Sequence, residues 1–229
     1  MRICVIPARG GSKRIPRKNI KEFCGKPIIS YSIEAALRSQ CFDKVIVSTD
    51  CEEISLIAKN YGAEIPFLRP SNLSGDYSST NDVIKHAINF YQSDFELTEV
   101  CCLYPTAPFV SEKILQDSLK VFLSCESETL FCFSATKYNF PIQRSFKFDN
   151  NKNPVMFFPE FYNTRSQDLE VAYHDAGQFY WGKPKGFLDN IPLFSKYSFP
   201  YIIKSHYVQD IDTNEDWHRA EMMYRSYIG

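Results

Sequence analysis

The chain has 229 residues, 44% of them hydrophobic, and its 26 Lys and Arg nearly match 27 Asp and Glu, for a net charge of −1. That length can bury most of its apolar surface as one large domain or two small ones, and the even charge excludes a whole-molecule field aimed at nucleic acid or an anionic membrane. A local cluster of cations therefore needs a local cause.

Cys4, Cys24, Cys41, Cys51, Cys101, Cys102, Cys125 and Cys132 show neither C-x-x-C spacing nor a histidine-bearing ligand pattern, and read as reduced, mostly packed thiols. The chain opens with one basic residue and a short apolar run that stops at Pro7, too short for a secretory core, and no later stretch approaches membrane-spanning length. The expected compartment is the cytoplasm.

In chain order, RICVIPA reads as a strand and PIISYSIEAALRSQ as a helix with Ile29, Ile33, Ala36 and Leu37 at helical spacing. KVIVSTD follows as a second buried strand, EEISLIAKNYG as a helix closed by Gly62, and EIPFLRP as a third short strand ended by proline. SSTNDVIKHAINFYQ is an amphipathic helix with Val83, Ile84, Ala87, Ile88 and Tyr91 inward, and TEVCCLYPTAP is another apolar strand. Helix EKILQDSLKVFLS and strand ETLFCFSA complete a further unit. Strands alternating with helices need crossovers, which predicts an α/β fold with a mainly parallel sheet between two helical layers and ligands beyond the strands' carboxyl ends.

From about residue 137 to 173 the pattern changes to aromatics alternating with polar residues around the turn-like DNNKNP. This predicts a β-hairpin insertion within a single domain spanning 1–229, and its aromatics favour docking on a partner chain over folding back onto its own.

The cation cluster lies in PARGGSKRIPRKN, which holds Arg9, Lys13, Arg14, Arg17 and Lys18. Gly10 and Gly11 lack the Cβ that would hold a ligand off, and their amides with that of Ser12 can face an anion. A solvated basic loop is the plain reading of a lone G-G-S. Its place after the first strand, with full charges at Arg9 and Lys18, favours phosphate. The chain has no G-x-x-x-x-G-K-[ST] and no G-x-G-x-x-G, which argues against both a P-loop NTPase and a dinucleotide fold.

PARGGSKRIPRKN, GKPIISYSI, VSTD, RPSNLSGDYSST, YPTAPF and QDIDTNEDWHRAE together resemble the cytidylyltransferases that activate nine-carbon acidic sugars, the CMP-sialate synthetase group, over nearly the whole chain. YHDAGQFYWG and the YPTAPF form are similar to the branch that acts on pseudaminic acid. The resemblance implies a three-layer α/β/α, Rossmann-like nucleotidyltransferase fold, a hairpin that makes a homodimer, and transfer of CMP from CTP to a nonulosonic acid for surface glycan or flagellin glycosylation. CMP-N-acetylneuraminate or CMP-legionaminate synthesis is the alternative within the class, and a CTP-binding module without turnover is the alternative outside it.

By the same resemblance, Arg9 and Lys18 neutralise the triphosphate, Ala8, Gly10, Gly11 and Ser12 cradle it, and Asn19 helps to fix the nucleotide. Arg69, Ser78 and Thr80 match the segment near cytosine and ribose. Tyr104, Arg165, Gln178, Tyr180 and Phe194 fall where relatives line the acceptor pocket, Arg165 being suited to a bidentate pair with the sugar carboxylate. Tyr104 stands where sialate enzymes carry glutamine, and HDAGQF replaces their asparagine-glycine pattern. Both departures favour a differently substituted acid.

Asp210 and Asp212 are two apart, so on a strand they share a side, where carboxylates suit Mg²⁺ shared with substrate phosphates. The competing role is a cap for the helix TNEDWHRAEMMY. His86 and His218 sit beside no candidate nucleophile, His174 next to Asp175 could approach the sugar or equally lie at the surface, and none of the three is assigned catalysis.

Overall fold

Residues Arg2–Pro7 form β1, and their alternation splits the core in two: Cys4 and Ile6 face one layer of helices, Ile3 and Val5 the other. The computed structural model describes residues 1–75 and 78–227. After β1 come the short strands β2 (Glu22–Phe23) and β3 (Lys26–Pro27), helix α1 (Ile28–Ser39), β4 (Lys44–Ser48) and α2 (Glu52–Asn60). Next are α3 (Thr80–Gln92), β5 (Glu99–Leu103), α4 (Glu112–Ser124) and β6 (Phe131–Lys137). The remainder is β7 (Phe146–Phe148), β8 (Pro154–Met156), β9 (Tyr173–Gly182), α5 (Pro184–Leu188), β10 (Ser198–Ile202) and α6 (Asn214–Tyr227).

The main sheet has the order β10-β6-β9-β5-β1-β4, with β1 parallel to β4 and to β5, and β10 parallel to β6. Only β9 runs against its neighbours, pairing Cys102 with Tyr180 on one side and Phe133 with Tyr180 on the other. The chain steps from β1 outward to β4, then crosses to the far side of β1 to lay down β5. That reversal opens a crevice at the carboxyl ends of β1 and β5, where open α/β sheets bind ligands.

Helices α1, α2 and α4 cover one face through Ile33, Ala58 and Leu115, and α3 and α5 cover the other through Ile84, Ala87 and Phe187. The inward set expected for α3 is its buried set, whereas Leu37 of α1 is 41% exposed and Ala35 takes the buried place. The expected third strand is not continuous: EIPFLRP meets β4 only at the isolated bridges Ile46↔Glu64 and Thr49↔Leu68, since its two prolines remove ladder donors. A third apolar cluster, with Ile15, Phe23, Ile28, Phe109, Ile211 and Trp217, fastens the basic loop to α6. β7 and β8 pair antiparallel as a separate two-stranded ribbon. All eight cysteines are free.

Candidate active site

Β1 ends at Pro7, and the loop after it lines a cavity of about 520 Å³ together with residues that follow β5 and precede α3. Arg9, Lys13, Arg14, Lys18 and Arg69 all face it, and Ser12, Asn19, Ser78, Thr80 and Tyr104 add polar groups. Five cations around one space of this size suit a polyanion.

Each wall is held by a nameable contact. Asn19 is buried and its side-chain amide donates to the Arg9 carbonyl at 2.9 Å, closing the loop on itself. Gly10 donates its amide to Asp50 Oδ1 at 2.9 Å, so this N–H is held by a carboxylate of the protein itself, where it was expected to face the ligand's phosphate. A Cβ on Gly10 would stand 3.0 Å from that of Cys51, so the glycine is needed for close approach to the end of β4. Gly11 has open space around it, and Ala8 is fully buried with its amide on the Ser48 carbonyl. Neither glycine nor Ala8 lines the cavity; they shape the loop that brings Ser12 and the cations to it.

Arg69 is only 7% exposed, donates from Nη2 to the Ser48 carbonyl at 2.9 Å, and has a buried Nε with no partner. Burial pulls its guanidinium below the ordinary pKa, Asp50 opposes that pull, and Arg9 adds to it. A buried donor without a partner at a cavity wall calls for an acceptor from the ligand. Arg9 reaches the Gly75 carbonyl at 3.4 Å, which ties the basic loop to the segment before α3. Asp76 and Tyr77 of that segment lie outside the described residues.

Asp210 and Asp212 stand beside the cations and do not line the cavity themselves. Asp212 Oδ1 lies 2.7 Å from Arg14 Nη2 and 3.4 Å from Lys18 Nζ, and Lys18 also donates to the Ile211 carbonyl at 2.7 Å. Burial and the neighbouring Asp212 raise the Asp210 carboxyl above its usual pKa, with Lys18 opposing. The helix cap is Thr213: its Oγ1 accepts from the Asp216 amide at 3.2 Å, and Asp216 accepts from the Thr213 amide at 2.8 Å. Both candidate metal ligands are thereby spared that role. No group of three or more His, Cys, Asp or Glu among the described residues is arranged around a metal position. Two hard carboxylates alone still fit Mg²⁺, which takes one or two from protein and the rest from water and phosphate.

Thr80 and Tyr104 also line a second cavity, of about 370 Å³, on the side of β9 and α5. Tyr180 lines it, Tyr104 and Tyr180 lie ring to ring at 5.5 Å, and burial raises both phenols above their usual pKa. Three residues expected around the acceptor line neither cavity. Arg165 is exposed and paired with Asp168 at 3.2 Å; Gln178 is buried with its amide on the Tyr207 carbonyl; Phe194 is 74% exposed, edge-on to Phe133. His86 packs edge-on against Phe67 at 4.5 Å, and the rings of His174 and Tyr138 meet at a tilt, 4.6 Å apart. Asp50 and Asp175 lie in the motifs VSTD and HDAGQF but had no site role assigned to them. Asp50 had a usable signal, an acid at the carboxyl end of a parallel strand, whereas Asp175 joins the site only through the register of β9.

A switch-point crevice lined with cations, flanked by paired carboxylates and opening onto a second cavity, defines a nucleotidyltransferase of the α/β/α type. The family model of the cytidylyltransferases matches residues 3–227, and the chain belongs to that family. It is 47% identical over 224 residues to a pseudaminic acid cytidylyltransferase of Campylobacter jejuni, covering 97% of this chain and 96% of that one. It is 35% identical to an N-acylneuraminate cytidylyltransferase of Escherichia coli, covering 95% of this chain and 51% of that longer protein. Among solved structures, a CMP:2-keto-3-deoxy-manno-octonic acid synthetase complexed with CTP superimposes with a TM-score of 0.72 at 15% identity, covering 99% of both chains, and so shares the fold.

Proposed function

We propose that this chain transfers CMP from CTP to a nonulosonic acid, pseudaminic acid first among them, with release of pyrophosphate. The cationic cavity carries the reading: five Lys and Arg side chains and the unpartnered buried Nε of Arg69 surround a space suited to a nucleoside triphosphate. Identity to the Campylobacter jejuni protein over nearly the whole chain supports the acceptor.

In this reading Arg9, Lys18 and Ser12 hold the triphosphate, and Asn19 keeps the loop in shape through the Arg9 carbonyl. Arg69, Ser78 and Thr80 hold the base and ribose. Tyr104 stands at the join of the two cavities, where the sugar hydroxyl meets the α-phosphate. Phosphoryl transfer asks mainly for positioning and for neutralisation of phosphate charge, and the five cations supply both. Asp210 and Asp212 are the ligands for Mg²⁺, which when bound adds charge neutralisation at the phosphates.

The protein works in the cytoplasm, in keeping with eight free thiols, and as a homodimer. Phe140, Phe146, Phe148, Phe157 and Tyr162 are all more than half exposed in or beside the β7–β8 ribbon, a concentration that suits a second copy of the chain. Across that interface Arg165 reaches the carboxylate of the sugar in the partner's site.

Pyrophosphate release with CTP, Mg²⁺ and pseudaminic, legionaminic or N-acetylneuraminic acid, with ATP, GTP and UTP as controls, tests the proposal. Turnover with CTP and pseudaminic acid is expected. CTP binding with no turnover on any acid would reduce the protein to a binding module.

A further inference from the structure

A line of hydroxyls leads away from the join of the two cavities and ends on a carboxylate. Tyr104 lines both cavities, and its hydroxyl has two partners within hydrogen-bonding reach: Thr80 Oγ1, 3.4 Å away, and the Tyr180 hydroxyl. The Tyr180 hydroxyl donates in turn to Asp175 Oδ2 at 2.7 Å. Asp175 is itself fixed, since its Oδ1 accepts the Gly177 amide at 2.8 Å. The backbone sets the two tyrosines side by side: Cys102 pairs with Tyr180 across β5 and β9, and the Tyr104 amide donates to the Gln178 carbonyl at 2.8 Å.

The surroundings of this line give a proton few other places to go. Among the described residues that line the second cavity there is no Lys, Arg or His, and Asp175 is the one charged side chain. The two amides there are committed to each other and to backbone: Asn81 donates to Asn190 Oδ1 at 2.8 Å and to the Phe187 carbonyl at 3.1 Å. Burial holds Cys102 as a neutral thiol. His174 precedes Asp175 but turns its Nδ1 to the Asp175 carbonyl, 2.8 Å away, and its ring to Tyr138. Burial also keeps both phenols neutral, so each gives up a proton only as it accepts another.

We propose that Tyr104, Tyr180 and Asp175 form a proton relay for the transfer step, with Tyr104 touching the attacking hydroxyl of the acceptor and Asp175 as the final base. The relay deepens the proposed function and rests on the first cavity being the CTP site. As the acceptor oxygen bonds to the α-phosphorus, the bond from that phosphorus to the bridging oxygen breaks, and pyrophosphate leaves with the electron pair. In the same step the hydroxyl proton passes to Tyr104, the Tyr104 proton to Tyr180 and the Tyr180 proton to Asp175, so no phenolate forms. Asp175 ends protonated and returns the proton to water after the products leave. The first cavity offers no such base: among the described residues its charged lining is Lys and Arg alone, and Asp212 beside it is paired with Arg14 and Lys18.

The test is single-turnover formation of CMP-sugar from CTP and pseudaminic acid with Mg²⁺, in water and in deuterium oxide. Tyr180→Phe cuts the relay, and Asp175→Asn keeps an acceptor for Tyr180 that cannot take its proton. Each should slow the chemical step about a hundredfold, the scale of general-base assistance, with CTP affinity unchanged. The wild-type rate should fall in deuterium oxide with a bowed dependence on deuterium fraction, the mark of several protons moving together, and Tyr180→Phe should straighten it. Tyr104→Phe combined with Tyr180→Phe should be no slower than the slower single variant, since the two act as one unit. Wild-type rates in both Tyr180→Phe and Asp175→Asn, multiplying effects in the double variant, or a bowed dependence kept in Tyr180→Phe would overturn the relay. Should Tyr180→Phe not fold, the near-isosteric Asp175→Asn decides alone. Wild-type protein that forms no CMP-sugar would instead remove the CTP reading beneath it, so the two failures are distinguishable.

Discussion

At the scale of single residues, Thr213 separates two roles that the sequence leaves entangled. Asp210, Asp212 and Thr213 all precede a helix and all are common caps; only the structure shows Thr213 and Asp216 closing the helix reciprocally. Neighbouring substitutions should therefore give opposite phenotypes. Thr213→Ala should cost about 1 kcal/mol of stability in denaturant melts and spare most activity. Asp212→Asn should keep the fold and abolish metal-dependent turnover; activity equal to wild type would remove the metal assignment. The cations of the loop were legible because charge in a glycine-bearing turn is a local signal. That Arg165, Gln178 and Phe194 line neither cavity of their own chain was not legible, since whether such a side chain faces a cavity, a backbone carbonyl or solvent depends on contacts remote in sequence.

At the scale of elements, β1, α1, β4, α2, α3, β5 and α4 could be read directly, because crossover units carry long periodic runs, whereas the two-residue strands β2 and β3 carry no period and were not foreseen. What escaped was the antiparallel course of β9, a consequence of sheet partners chosen outside the segment, and the failure of EIPFLRP to pair fully, which its own two prolines impose. The register of β9 then decides the second cavity, as it brings Asp175 and Tyr180 beside Tyr104. The end of β4 does comparable work for the basic loop. Asp50 takes the Gly10 amide and Glu53, at the start of α2, pairs with Arg17, so the loop is clamped by the element beside it. Asp50→Asn should raise the KM for CTP about five- to tenfold, the factor carried by about 1 kcal/mol, with the thermal midpoint nearly unchanged. Gly10→Ala should do the same or more, because its Cβ meets Cys51. A defect limited to the sugar in either variant would detach this clamp from the nucleotide.

At the scale of the whole molecule, a net charge of −1 conceals a division of labour between one cationic cavity and one that holds a single acid. The aromatic ribbon is the other large-scale feature, and its composition was legible while its partner was not. Replacing Phe146 and Phe148 together by Ser should convert a dimer to a monomer in analytical ultracentrifugation. If Arg165 serves the partner's site, the same change and Arg165→Ala should both raise the sugar KM far more than that of CTP. A dimer untouched by the double substitution would place the interface elsewhere. CMP transfer across the join at Thr80 and Tyr104 is read out by phosphorus NMR of the protein with CTP, Mg²⁺ and pseudaminic acid. A CMP-sugar phosphodiester signal should grow in equal proportion to pyrophosphate. Pyrophosphate accompanied by free CMP, or an unchanged CTP spectrum, would contradict it.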